Sequence, residues 1–293
     1  MARIGLVTVL FKSDEVLPGF FRSISQQTHR EYILYLVDNS ENITTDALIS
    51  RCQEDFPVTL CRHIKTGGNT GVAAGNNTGI RAALEDECTH ILLLNNDIEF
   101  SQEDMFTRLL ETAEVKGESL IVNRIFYYGE NKLWMAGGYM DEWRALGVHY
   151  GYNKPDRPVY HVPRYITYAP TCFMLVKKEV IEKIGMMDER YFAYYDDTDF
   201  VLRATRAGFR IWYDPSLVVL HKVSSSAGTN SPFYVYYSNR NKIYFIRKNF
   251  RGFRRWFALA YTLVSRVVFW LRFDPVRRKK LIEGLKEGFA MKP

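Results

Sequence analysis

The strongest fold signal in the sequence is the run Ile91-Leu92-Leu93-Leu94-Asn95-Asn96-Asp97, in which a wholly apolar stretch meets an abrupt polar end. Four apolar residues without alternation predict a strand buried on both faces, as in a parallel sheet covered by helices. With His90 they form the predicted strand His90–Leu94. Ligands of α/β sheets bind at the carboxyl ends of the strands. Asp97 is therefore a candidate for contact with a divalent cation and a diphosphate, although a lone Asp there more often caps a helix.

Strand and helix patterns alternate over the first 100 residues. Apolar runs bounded by turn residues predict three earlier strands, at Ile4–Leu10, Tyr32–Val37 and Pro57–Arg62. Capping residues and spacing predict helices at Asp14–Gln27, Thr45–Gln53 and Gly71–Leu84. We therefore expect an α/β fold, with a Rossmann-like, mainly parallel sheet flanked by helices.

Two further features lie on the predicted ligand-binding edge. Asp38 ends the second strand and is a candidate contact for a ribose or a base, but a turn role within Asp38-Asn39-Ser40 is the commoner outcome. The Gly- and Asn-rich segment Gly67–Gly79 lets backbone amides approach a nucleotide, or it is only a helix entry. No GxGxxG follows the first strand and Gly67–Gly79 holds no P-loop lysine, which argues against a dehydrogenase and an ATPase.

The second half of the chain carries an acidic cluster, Tyr194-Tyr195-Asp196-Asp197-Thr198-Asp199. Close like charges are costly unless a cation, a proton or solvent relieves them. A helix from about Asp196 places Asp196 and Asp199 on one face and directs Asp197 elsewhere. That division suits a base beside orienting carboxylates, although acidic residues also favour helix N-termini. His221 is a candidate metal ligand if the fold brings it near Asp97, and a core histidine otherwise.

Around the cluster the pattern is less regular. The segment Ser119–Tyr168 is rich in aromatic residues and Gly turns, and predicts loops with short strands. Further elements are predicted at Phe173–Val176, Lys178–Ile184, Asp196–Ala207, Arg210–Tyr213 and Leu217–Leu220. The four cysteines lack CxxC spacing and indicate buried thiols in a reducing compartment.

Charge divides the chain in two. The whole carries +6, yet residues 233–293 hold 15 Lys and Arg against 3 Asp and Glu. We expect a catalytic domain over 1–232 and a basic, aromatic helical segment over 233–293. The apolar run Trp256–Leu271 is interrupted by Arg266 and falls short of the roughly 20 residues of a membrane span. It predicts an interfacial helix on an anionic membrane, a helix packed on the domain, or a homodimer interface. No nucleic-acid-binding motif accompanies the charge, so no nucleic acid partner is expected.

Taken together and in order, these segments resemble the family-2 glycosyltransferases with a GT-A fold, especially the bacterial rhamnosyl- and galactofuranosyltransferase-like branch. The resemblance covers about Ile4 to Ser226. The matching segments are Val7–Phe11, Leu36–Ser40, Gly68–Gly79, Leu93–Asp97, Gly185–Phe192, Tyr195–Asp199, Arg203–Phe209 and His221. Seven such segments in the family's order, closed by the histidine, are a specific signal.

The resemblance implies an inverting transfer of a sugar from a nucleotide-sugar donor, carried by UDP or dTDP. It implies that Asp197 is the catalytic base and that Asp97, the last residue of the family's DxD motif, holds Mn²⁺ or Mg²⁺ with His221 as a further ligand. Asn95 replaces the first Asp of that motif, which lowers the ligand charge. The implied substrate contacts are Thr8, Asp38, Asn69, Gly71, Asn77, Asn95, Asn96, Asp196 and Asp199.

The resemblance also implies an acceptor that is a glycan or a lipid-linked glycan, in bacterial cell-surface polysaccharide biosynthesis. The start Met1-Ala2-Arg3 leads straight into a strand and shows no secretory signal. With the resemblance, this predicts a cytoplasmic protein, peripheral on the inner face of the cytoplasmic membrane. Two alternatives stay open. A nucleotidyltransferase usually carries a Gly-rich, basic loop after the first strand, which this chain lacks. A catalytically silent nucleotide-sugar-binding or membrane-scaffold protein is favoured only by Asn95.

Overall fold

The computed structural model describes residues 2–40, 42–223 and 231–293. The end of the resemblance, Ser224–Ser226, lies outside them. The strands are β1 (Ile4–Leu10), β2 (Tyr32–Asp38), β3 (Cys61–Lys65), β4 (His90–Leu94), β5 (Ile98–Glu99), β6 (Leu120–Tyr127), β7 (Lys132–Met135), β8 (Gly138–Asp141), β9 (Leu146–His149), β10 (Lys154–Pro155), β11 (Arg164–Ile166), β12 (Phe173–Lys177) and β13 (Ile211–His221). The α-helices are α1 (Leu17–Ser25), α2 (Ile43–Asp55), α3 (Val72–Glu85), α4 (Met105–Lys116), α5 (Lys178–Ile184), α6 (Asp196–Arg206), α7 (Pro232–Asn249), α8 (Gly252–Arg272) and α9 (Pro275–Ala290).

The N-terminal half of the main sheet is parallel. β1 lies between β2 and β4, and β3 extends the sheet beyond β2. Every residue of β2 and β4 is buried, as the unbroken apolar runs predict. The register pairs Leu10 with Asp38, so β1 and β2 end together. The predicted α/β fold is confirmed: Asp38 ends β2 and Asp97 follows β4, on either side of β1 at the same edge of the sheet.

The other half of the sheet is mostly antiparallel. β12 runs antiparallel between β4 and β6, whereas β13 runs parallel to β6. The amide of Asn95 donates to the carbonyl of Cys172, just before β12, over 2.9 Å. At the far end of β13, His221 pairs with Ile98 of β5. These pairings carry residues from the second half of the sequence to the end of β4.

Three predicted strands differ from the structure. β3 begins at Cys61 rather than Pro57, because pairing with β2 starts at Leu34 opposite Cys61. The predicted strands 210–213 and 217–220 are one strand, β13, whose register shifts between Asp214 and Val218. Pro215 lies in the shifted segment and has no N–H to donate, which explains the irregularity.

Helix α3 packs closely on β1, and its glycines are there for that reason. A Cβ on Gly79 would lie 2.4 Å from a methyl carbon of Val7, and one on Gly75 would lie 2.8 Å from Val9. Both distances are shorter than any van der Waals contact. These two glycines of the Gly67–Gly79 segment therefore serve helix–strand packing rather than an approach to phosphate.

Helix α7 joins the C-terminal segment to the rest of the chain. The Asn241 amide donates to the carbonyls of Ala193 and Tyr194 over 2.7 and 2.9 Å. Helix α9 packs against α7 through Gly284 and Gly288, where a Cβ would meet backbone carbonyl oxygens. The predicted division at residue 232 stays a prediction, and α7 packs directly beside the acidic cluster.

Candidate active site

Asp97 and His221 meet at the carboxyl end of β4. The Nε2 atom of His221 lies 3.1 Å from the Oδ1 atom of Asp97, and both side chains are largely buried. Strand geometry holds them there, since the Lys222 amide donates to the Asp97 carbonyl over 2.8 Å. The fold therefore brings His221 next to Asp97, as a role for His221 in metal coordination requires.

The pair has the properties of a site for a divalent cation. The Oδ1 atom of Asp97 is buried and, within the described residues, accepts no hydrogen bond of regular geometry despite the nearby His221 Nε2. Neighbouring ligands of an octahedral ion, each about 2.1 Å from it, lie about 3 Å apart. The observed 3.1 Å matches that separation. A carboxylate and an imidazole thus fit Mn²⁺ or Mg²⁺, and the exposed Asn95 at the same edge offers a neutral oxygen.

A second group of metal-ligand type surrounds Asp38. Ligand atoms of Asp38, Asp46 and His63 lie within 4.8 Å of one another. Lys65 already donates to Asp46 over 2.7 Å, and His63 Nε2 lies 3.1 Å from Asp38. The other Asp38 oxygen accepts from the Ser40 amide over 2.7 Å. The turn role weighed for Asp38 is thus observed, while its contact with a base stays a prediction.

The acidic cluster begins at a strained turn. Tyr194 and Tyr195 have φ angles of 67° and 70°, which non-glycine residues rarely adopt. The bonds from Asn241 to the Ala193 and Tyr194 carbonyls hold this turn. Helix α6 starts directly after it, so the turn fixes where Asp196 and Asp197 lie.

The three carboxylates of the cluster differ in access to solvent. Asp196 and Asp199 are 5 % and 0 % exposed, whereas Asp197 is only partly buried. Asp197 accepts from the Thr198 amide over 2.6 Å and from the Tyr168 hydroxyl over 3.3 Å. This confirms the predicted division of faces in α6. Asp197 is the carboxylate of the three that a substrate hydroxyl can reach.

Burial sets the ionisation of the cluster. It raises the pKa of Asp197, against the hydrogen bonds from Thr198 and Tyr168. Burial and the charge of Asp197 raise the pKa of Asp196 to about 8. A carboxyl whose pKa rises on folding binds its proton more tightly in the native state. The cluster is therefore poised to hold one proton near neutral pH.

We expect Asp196→Asn to raise thermal stability increasingly as the pH rises. Between the unfolded pKa of about 4 and the folded value of about 8, only native Asp196 keeps its proton, so wild-type stability falls with rising pH. The amide side chain of the Asp196→Asn variant does not titrate, so the variant does not lose this stability as the pH rises. Melting temperatures at pH 5 and pH 8.5 check this, with Asp104→Asn on the surface as control. An equal difference in melting temperature between variant and wild type at both pH values would contradict this prediction.

Aromatic rings connect the Asp97–His221 pair with Asp197. Trp134 packs edge-on against His221 and His149, with centroid distances of 4.6 and 4.7 Å. His149 stacks on Tyr168, which donates to Asp197. Burial lowers the pKa of His149 to about 4, so its ring is neutral at physiological pH. This aromatic wall joins the two parts of the site.

The buried thiol of Cys172 is subject to the charge of both carboxylates. Burial raises its pKa well above the usual range, and the charges of Asp97 and Asp197 raise it further. Both acidic side chains therefore lie near this residue at the start of β12. The arrangement can hold a cation on one side and accept a proton on the other.

Several predicted substrate contacts have structural roles instead. Asn77 is buried and bonds to both the amide and the carbonyl of Met187 over 2.9 and 2.8 Å. Asn96 donates to Ser13 over 2.5 Å. Thr8 is fully buried inside β1 and offers a substrate no surface.

The entry to α3 is fixed in the same way. Asn69 accepts from the Gly71 amide over 3.1 Å. Gly71 has a φ of 86° and lies so close to Phe192 that a Cβ would be 2.4 Å from its carbonyl oxygen. Both residues stand at the predicted edge, and their contact with a donor stays a prediction.

Asp199 is the clearest departure from its prediction. Its oxygens accept from Arg203, Lys248 and Asn249, each over 2.8 Å. The side chain has no exposed surface. The predicted contact of Asp199 with substrate is therefore wrong, and its carboxylate belongs to a buried ion-pair network.

Sequence reasoning missed Trp134, His149 and Tyr168 as individual site residues. They lie in the segment Ser119–Tyr168, where only the enrichment in aromatic residues was visible. Their places depend on the β8–β9 hairpin and the sheet around it. No local spacing marks them.

Comparisons with known proteins show the family of this chain. The model of the family described as Glycosyl transferase family 2 matches residues 6–185. The "Low-salt glycan biosynthesis hexosyltransferase Agl10" of Haloferax volcanii is 27 % identical over 245 residues, covering 82 % of this chain and 74 % of that protein. The "N-acetylglucosaminyl-diphospho-decaprenol L-rhamnosyltransferase" of Mycobacterium tuberculosis is 23 % identical over 309 residues, covering 95 % of this chain and 97 % of that protein.

A solved structure shows the same fold. The mannosyltransferase PcManGT from Pyrobaculum calidifontis, in complex with GDP-Man and Mn²⁺, superposes with a TM-score of 0.59 at 11 % identity. The match covers 98 % of this chain and 86 % of that one. It therefore includes the C-terminal helices as well as the sheet.

Proposed function

This chain belongs to glycosyl transferase family 2, and from that premise we propose that it moves a sugar from a nucleoside-diphosphate sugar to a glycan or lipid-linked glycan, with inversion at the anomeric carbon. The observation that carries the proposal is the Asp97–His221 pair at the carboxyl edge of the sheet, joined by the aromatic wall to Asp197. The named relatives are a hexosyltransferase and a rhamnosyltransferase, which supports cell-surface polysaccharide biosynthesis as the setting.

Asp197 is the proposed base. The acceptor hydroxyl oxygen bonds to the anomeric carbon while the bond from that carbon to the diphosphate oxygen breaks. The hydroxyl proton passes to a carboxylate oxygen of Asp197, and the nucleoside diphosphate leaves with the bonding electrons. The raised pKa of Asp197 makes it a stronger proton acceptor once ionised. The Tyr168 and Thr198 hydrogen bonds orient its carboxylate.

Asp97 and His221 are the proposed ligands of a divalent ion, with Asn95 beside them. When bound, such an ion neutralises charge on the leaving diphosphate. Asp38 ends the strand two places from β4 in the sheet, but its carboxylate has no exposed surface and bonds to Ser40 and His63, so its contact with the nucleoside stays a prediction. UDP and dTDP stay the proposed carriers.

Release of nucleoside diphosphate from UDP-, dTDP- and GDP-sugars tests the proposal. We expect one donor to turn over in the presence of Mn²⁺ and an acceptor-containing lipid extract, with an inverted anomeric configuration by NMR. A protein that binds a donor without turnover would support the catalytically silent alternative. Retained configuration would contradict the single displacement.

We expect Asn95→Asp to tighten Mn²⁺ binding on the order of tenfold, because it adds a charged oxygen ligand at this edge. Asn95→Ala removes the amide oxygen and should weaken binding instead. The backbone bond from residue 95 to Cys172 is unaffected by either change. Isothermal titration with Mn²⁺ measures both. Equal affinities in all three proteins would remove Asn95 from the site.

A further inference from the structure

Helix α8 exposes an apolar face along its whole length. Only Ala258, Leu259 and Thr262 of its 21 residues are buried. At 3.6 residues per turn, the other side of the helix carries an arc of about 120° without a polar residue. Its large members are Phe253, Trp256, Val264, Val267, Val268 and Leu271. Phe253, Val264 and Trp256 are 74 %, 69 % and 68 % exposed.

The face is continuous and large. The helix is about 30 Å long at 1.5 Å per residue. Arg266 does not break the face, because its side chain turns to α7 and donates to Asn239 over 2.5 Å. Exposed apolar patches of this size mark an interaction surface. Within the described ranges, no helix combines the length and hydropathy that crossing a bilayer takes.

Basic residues stand at both ends of the face. Arg251 is exposed at the start of α8, where the exposed Arg254 pairs with Glu142 over 2.8 Å, and Arg272 and Lys279 are exposed at and beyond its end. Trp256 and Trp270 lie near the two ends of the helix, where amphipathic rings favour a lipid–water boundary. Basic ends around an apolar face complement an anionic lipid surface.

A second copy of the chain fits the face less well. Both ends are basic, so parallel and antiparallel pairing of two α8 helices each bring like charges together. We propose that the apolar face of α8, with its basic ends, docks on an anionic lipid surface. This goes beyond the transfer reaction and does not depend on it.

The β8–β9 hairpin connects the apolar face of α8 with the site. Trp143, between β8 and β9, packs edge-on against Phe257 and Phe253 with centroid distances of 5.4 and 6.2 Å. Residue His149 of the same hairpin stacks on Tyr168 beside Asp197. Given the proposed function, an acceptor anchored in the lipid would present its glycan to the base across one hairpin.

Vesicle flotation tests the docking without any sugar transfer. Vesicles of phosphatidylcholine are compared with and without phosphatidylglycerol, at low and high salt. We expect wild type to float with the anionic vesicles at low salt. Val264→Asp/Val267→Asp should bind at least about tenfold more weakly, because each Asp adds a charge to the apolar face. The control Val115→Asp, at an exposed position of α4, should bind like wild type.

A second variant, Arg272→Glu/Lys279→Glu, tests the role of the basic residues. It should lose the preference of wild type for anionic vesicles. Thermal shift with a nucleoside diphosphate and Mn²⁺ shows whether each variant is folded and keeps its donor site. Unchanged flotation of the Val264→Asp/Val267→Asp variant would overturn the proposal. The proposal would also be overturned if wild type bound none of the vesicles but formed a dimer, and the Val264→Asp/Val267→Asp variant was monomeric. That result would assign the apolar face to a second copy of the chain.

Discussion

Asp197→Asn should lower turnover by about 10³-fold and leave donor binding nearly unchanged, since a general base typically contributes 10²- to 10⁴-fold. The amide keeps an oxygen for the Thr198 bond, so the turn should persist. It cannot take the acceptor proton. The Asp97–His221 pair is untouched, so affinity for the metal and diphosphate should hold. Steady-state kinetics and donor titration on the same preparation measure both quantities.

Asp104→Asn is the matched control, because it removes a surface carboxylate that makes no side-chain cap bond. It should turn over like wild type. Donor affinity that falls in parallel with turnover would give Asp197 a binding role instead. Full activity in Asp197→Asn would remove the residue from the chemistry.

Lys248→Met should destabilise the protein by about 3 kcal/mol, the low end for breaking a buried ion pair. The Lys248 ammonium donates to Asp188 and Asp199 over 2.7 and 2.8 Å. Arg190 and Arg203 stay as partners, which limits the loss. For a chain of this size the melting temperature should fall by about 5 °C. Calorimetry or a denaturant titration checks the value.

The pH dependence of that loss has a definite sign. Burial opposes ionisation of Asp188, but hydrogen bonds from Arg190 and Lys248 outweigh it and hold the pKa well below its usual range. Stability from such a carboxylate is present above the unfolded pKa of about 4 and is lost as the pH falls below it. The gap between wild type and Lys248→Met should therefore narrow in acid. The control Lys178→Met removes an exposed pair to Glu182 and should cost less than about 1 kcal/mol. An equal loss of unfolding free energy in Lys248→Met and Lys178→Met would contradict a stabilising role for the buried ion-pair network.

The parallel half of the sheet could be predicted because its signals are local. Unbroken apolar runs mark β1, β2 and β4, and polar residues mark where each ends. The strand ends then place Asp38 and Asp97 on one edge by geometry alone. The helical spacing from Asp196 likewise predicts which carboxylates share a face.

Roles that depend on distant partners could not be predicted. Asn77 bonds to Met187, which is 110 residues away, and Asp199 meets Lys248 across 49 residues. An Asn or Asp beside a motif looks the same in sequence whether it faces substrate or a buried loop. The direction of β12 was equally hidden, since an apolar run does not distinguish parallel from antiparallel pairing.

The proposed function requires a diphosphate site that depends on a metal at Asp97 and His221, and metal-dependent ligand stabilisation measures that dependence. Thermal shifts of wild type and Asp97→Asn are recorded with UDP, dTDP and GDP, each with and without Mn²⁺. One diphosphate at 100 times its Kd should stabilise wild type by about 2.7 kcal/mol with Mn²⁺ only, and Asp97→Asn should not respond. A shift that is independent of Mn²⁺ or persists in Asp97→Asn would contradict the site, and folded wild type that responds to none of them would favour the catalytically silent alternative.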